Sequence, residues 1–95
     1  MTQTWRSIRS DHPSLPDHFP GNPVVPGVVT LNDVIATAEE AGFSVSGMPA
    51  ARLLQPVAPD TPFMVRLTPR ADGSLMFDVT GEDGTKLARG RLSAS

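Results

Sequence analysis

Cysteine is absent from the 95 residues, which excludes disulfide staples, thiolate nucleophiles and thiolate metal sites together. Stability therefore rests on packing. No stretch approaches the roughly 20 apolar residues that cross a bilayer, and the opening MTQTWRSIRS lacks the apolar core of a secretory signal. The expected setting is the cytoplasm, with no membrane contact. Basic charge is sparse: Arg6, Arg9, Arg52, Arg66, Arg70, Lys86, Arg89 and Arg91 are spread along a chain of net charge −2. They form no concentrated stripe in the sequence, so nucleic acid is not an expected partner. The two histidines, His12 and His18, have no ligand-spaced companions, and neither a metal nor an organic cofactor is expected.

What remains is an ordinary globular composition, 39% hydrophobic and 19% charged, which favours a packed domain over disorder. The length fits a single domain spanning 1–95. A domain this small buries a limited share of its apolar surface, so association with a second subunit would help it.

Five of the ten prolines (Pro13, Pro16, Pro20, Pro23 and Pro26) fall within DHPSLPDHFPGNPVVPG, residues 11–27. Proline fixes φ and removes a backbone donor, so this density predicts a stiff loop, of the kind that holds functional groups in place. After Gly27 the pattern turns helical. Val28, Leu31, Val34, Ile35 and Ala38 gather on one side, Asp33, Thr37 and Glu40 fall opposite, and Asn32 and Glu39 sit along the edge. Gly42 supplies the expected stop.

Beyond the helix, FSVSGMPA reads as a connection with at most a short edge strand. Strands are then expected over about Ala51 to Val57, Pro62 to Pro69, Ser74 to Thr80 and Leu87 to Ser93. Asp72-Gly73 and Asp83-Gly84 suit hairpin turns, because glycine accepts positive φ and aspartate tolerates it. The last three strands should therefore be antiparallel neighbours. The layout is strand, loop, one long helix and a meander, an α+β domain with an antiparallel sheet wrapped around the helix.

The run His18-Phe19-Pro20-Gly21-Asn22-Pro23-Val24-Val25-Pro26-Gly27-Val28 closely resembles the H-F-P-G-x-P-x-x-P-G-V motif of FabZ/FabA-type 3-hydroxyacyl-[acyl-carrier-protein] dehydratases, matching its eight specified positions in order. Asp11-His12-Pro13 upstream and Leu54-Gln55-Pro56-Val57 downstream are also similar to the family, notably to its small aryl-polyene-type members. The resemblance implies a hot-dog fold working as a dimer, of like chains or with a related subunit. It also implies acyl-thioester tunnels at the interface and an acyl-carrier-protein thioester as substrate.

The implied chemistry removes a proton beside a thioester carbonyl and protonates the departing hydroxyl. His18 would be the base, since imidazole accepts and returns a proton near neutral pH. Gly27 would offer its backbone N–H at the helix start to the carbonyl as enolate charge develops. Phe19, Pro26, Val28, Leu31 and Ile35, with Phe63, would line the acyl site. In the resembled enzymes a carboxylate lies fourteen residues after the histidine; here that position is Asn32. An amide can hold water or a hydroxyl by hydrogen bonding but cannot be the general acid. Asp33 points elsewhere, about 100° around the helix, and Glu39 lies roughly 10 Å along it. A dehydratase, a binding or partner-dependent subunit, and, ranked last, a hot-dog thioesterase therefore stay open.

Overall fold

A computed structural model describes residues 2–9 and 27–94. In chain order its elements are β1 (Thr2–Arg6), α1 (Gly27–Glu40), β2 (Val45–Leu53), β3 (Phe63–Pro69), β4 (Ser74–Gly81) and β5 (Lys86–Ala94). The strands form one antiparallel five-stranded sheet of order β1-β3-β4-β5-β2.

The sheet's inner face follows from simple alternation. Phe63, Val65 and Leu67 on β3, Leu75, Phe77 and Val79 on β4, and Ala88 and Leu92 on β5 are all buried. Register sets them side by side: Val65 faces Val79, which faces Ala88, and Leu67 faces Phe77, which faces Gly90. Val29, Val34 and Ala38 of α1 close the same core from above, joined by Ile8 and Val57. Burying such side chains contributes about 1.5–3 kcal/mol each, the largest favourable term available to a chain without disulfides.

Both predicted turns form. Gly73 and Gly84 have φ of 88° and 85°. Asp72 accepts hydrogen bonds from the Ser74 hydroxyl at 2.6 Å and the Ser74 N–H at 3.0 Å, and Asp83 accepts from the Thr85 N–H at 2.9 Å. These bonds hold both carboxyls below their ordinary range. The turn contribution is therefore present above the normal carboxylate pKa and fades as acid protonates the side chains.

Two strand expectations need correction. FSVSGMPA is not mainly a connection: β2 begins at Val45, runs nine residues, and ends at Leu53 rather than Val57. It is an edge strand, so the missing N–H of Pro49 leaves no gap in the sheet interior. Register shifts between Val45 and Gly47 and between Gly47 and Ala50 absorb its irregularity. Leu54 and Gln55 leave the strand because both backbone N–H groups turn to the Leu87 carbonyl, at 2.8 and 3.2 Å.

The helix is also shorter than expected, at 14 residues, or about 21 Å. It ends where predicted: Gly42 takes φ 99°, and the Phe43 N–H reaches back to the Ala38 carbonyl at 3.1 Å, closing the last turn. Its buried arc is rotated from the apolar stripe read in the sequence. Thr37 is 2% exposed and Val28 is 64% exposed. Threonine can turn inward because its hydroxyl donates to the Asp33 carbonyl at 2.8 Å, which removes the desolvation cost of an unpaired group. Among the described residues no helix is long and apolar enough to cross a membrane.

Candidate functional site

Gly27 is the first residue of α1. The first N–H groups of any α-helix lack intrahelical acceptors and carry the positive end of its dipole. Leu53, the last residue of β2, reaches this helix start: a methyl group added at Gly27 would overlap its Cδ1. Glycine here lets sheet and helix approach closely. Between them lies a groove of about 300 Å³, with Gly27 and Thr30 on one wall, Leu53 to Val57 on the other, and Leu87 at its end.

The paired hydrogen bonds to the Leu87 carbonyl hold the second wall in place. A further hollow of about 450 Å³ shares Gln55, Pro56, Val57 and Leu87 and extends to Phe63 and the β4–β5 turn. Leu53 and Leu54 at the groove are 52% and 38% exposed, an apolar rim open to a partner or an acyl group.

The expected site residues divide into three sets. His18, Phe19 and Pro26 lie outside the described residues. Gly27 lines the groove. Asn32, Val28, Leu31 and Ile35 do not: Asn32 and Val28 are exposed on the outward helix face, with Leu31 and Ile35 half-buried beside them. Sequence reasoning did not single out Thr30, Leu53 or Leu87. Thr30 was findable, since i and i+3 share a helix face. Leu87 was not, because only long-range pairing brings it to the groove.

Asp33, next to Asn32 in sequence, is committed elsewhere, as is Glu40. Arg6 on β1 grips Asp33 with two donors, Nε to Oδ2 at 2.9 Å and Nη2 to Oδ1 at 3.1 Å, and reaches Glu40 Oε1 at 3.0 Å. The hydrogen bond to Asp33 is the main reason the Arg6 pKa is raised. This clamp fixes the rotation of α1 relative to β1 and turns Asp33 away from Asn32's face. Asp33→Asn should lower stability by about 1 kcal/mol, since the pair is forked and only partly exposed. The shift would appear as a lower urea midpoint, and an unchanged midpoint would mean that the clamp does not hold the helix.

One helix packed on one face of a five-stranded antiparallel sheet of this strand order is a hot-dog arrangement, and solved structures share it. A protein from Erwinia carotovora subsp. atroseptica matches with a TM-score of 0.77 at 22% identity, over 98% of this chain and 81% of that one. The dehydratase heterocomplex ApeI:P from Xenorhabdus doucetiae matches with a TM-score of 0.77 at 18% identity, over 97% of this chain and 84% of that one. The ApeI-like family, described as ApeI dehydratase, matches residues 2–91. The chain belongs to this dehydratase family. No curated protein matches the sequence.

Proposed function

We propose that this protein dehydrates a 3-hydroxyacyl thioester carried on acyl carrier protein to the trans-2-enoyl thioester. The observation that carries the reading is the position of Gly27, which both begins α1 and lines the groove walled by Leu53 to Val57. A thioester carbonyl at the helix start would meet N–H donors already oriented, where enolate charge is best stabilised. His18, nine residues before Gly27, would take the α-proton. The proton returns to the leaving hydroxyl, so water and the enoyl thioester form with no net redox change. Asn32 would hold that hydroxyl or a water by hydrogen bonding. Val28, Leu31 and Ile35, with Phe19 and Pro26, would line the acyl site once a second subunit covers the outward helix face.

Incubation with a 3-hydroxyacyl-carrier-protein thioester should yield the α,β-unsaturated thioester. Absence of product from folded, dimeric protein would sink the reading. Asn32→Asp or Asn32→Glu should raise the rate roughly tenfold or more by restoring a proton-bearing group. An unchanged rate would place the acid elsewhere.

A second reading has its own support: Asn32 is exposed and Asp33 is held by Arg6. In it, a related but unlike subunit docks on the Val28 and Asn32 face and contributes the acid, in the manner of a heterocomplex. Mixing with such a subunit would then raise turnover far above that of either chain alone.

A further inference from the structure

Arginines dispersed in sequence converge on one surface. Across the outer face of the sheet, Arg66 on β3 stands opposite Asp78 on β4, Asp78 opposite Arg89 on β5, and Arg89 opposite Arg52 on β2. One residue pair along, Arg91 stands between Met76 and Ala50. Neighbouring strands lie about 4.8 Å apart, so half of the eight basic residues of an acidic chain share two short rows. All four arginines are exposed. Asp78 is the one carboxylate in those rows and can neutralise only one of them.

Arg52 and Arg89 are directly opposite one another, an arrangement that destabilises a sheet. No ion pair among the described residues engages Arg52, Arg89 or Arg91. Arg91 is attracted by Asp72 in the β3–β4 turn, which leaves the facing pair Arg52 and Arg89 as the charges for which the fold itself gives least reason. Between them lies a groove of about 480 Å³ with Ala50 and Met76 in its floor and Arg52, Arg89 and Arg91 at its rim. An apolar floor with a guanidinium rim suits a protein surface that presents a few apolar side chains among carboxylates. Among the described residues the groove has no aromatic lining on which nucleobases could stack.

We propose that this arginine-rimmed groove is where the acidic carrier protein docks. The proposal rests on the dehydratase reading and adds the surface that receives the carrier. The surface adjoins the helix start through a single residue step: Arg52 faces outward at the rim, and Leu53 faces inward against Gly27.

The test compares Arg52→Glu/Arg89→Glu/Arg91→Glu with the unaltered protein on one acyl group presented three ways: on acyl carrier protein, on coenzyme A and on pantetheine. The expected result is a roughly tenfold or greater rise in KM for the carrier substrate alone, with loss of its salt dependence, since rim charges act on encounter and register. Arg52→Lys/Arg89→Lys/Arg91→Lys should retain most of the carrier affinity, and the unfolding midpoint of the glutamate variant confirms an intact fold. Unchanged carrier KM overturns the proposal. An equal loss with coenzyme A also overturns it, because the arginines would then read phosphate rather than protein. Carrier binding by titration separates docking from chemistry: if the unaltered protein binds carrier and the variant does not, docking stands even where no substrate turns over.

Discussion

His18→Ala is expected to cut enoyl-thioester formation by about 10²–10⁴-fold, the usual contribution of a positioned general base. The α-proton of a thioester is weakly acidic, and the residues that could otherwise remove it are few. The chain has no cysteine and one other histidine, His12, and Asp33 is held by Arg6. Water is the expected replacement for the imidazole, and a poor one. The carbonyl-polarising N–H at Gly27 is backbone and survives the substitution, so KM should change less than kcat. His18→Gln, which keeps a hydrogen-bonding side chain of similar reach, should be nearly as inactive if the role is proton transfer and nearly as active if it is only positioning. Full activity in both variants would remove His18 from the chemistry and leave the thioester-binding reading.

The parts of this fold that were legible in the sequence are local. β3, β4 and β5 announce themselves by alternation between two Asp-Gly turns, and each turn needs only its own four residues. The helix end at Gly42 is equally local. β2 was misplaced because its Gly47 and Pro49 argue against a strand unless the strand is known to lie at an edge, and edge position is decided by pairing with β5 some forty residues later. The rotation of α1 was misjudged for a related reason: Thr37 reads as polar until its hydroxyl is given the Asp33 carbonyl. The candidate site followed the same rule. The motif pointed to Gly27, but the opposite wall of the groove depends on Leu87 holding Leu54 and Gln55. The arginine face is set by register alone, since Arg52 and Arg89 meet only across a strand pair.

Register also makes Gly90 the most sensitive backbone position. It pairs with Ala51 on β2 and Phe77 on β4. A Cβ there would overlap the Ala50 carbonyl oxygen and lie 2.7 and 2.8 Å from two ring atoms of the fully buried Phe77. A flexible side chain could step aside, but a strand carbonyl and a packed ring cannot do so cheaply. Gly90→Val should therefore lower stability by about 2–3 kcal/mol through overpacking, seen as a lower urea midpoint. Gly47→Ala, where an added methyl group meets nothing within 4 Å, should stay within about 0.5 kcal/mol. The damage should extend to function, because relief at Gly90 means pushing β2 outward. That movement draws Leu53 away from Gly27 and Arg52 away from Arg89, opening the groove at the helix start and disordering the arginine rim together. Gly90→Ala, the smaller insult, should accordingly raise KM for a carrier-linked thioester at temperatures where the protein is still folded. If stability falls while KM holds, β2 has kept its place and the strain has gone into Phe77 instead.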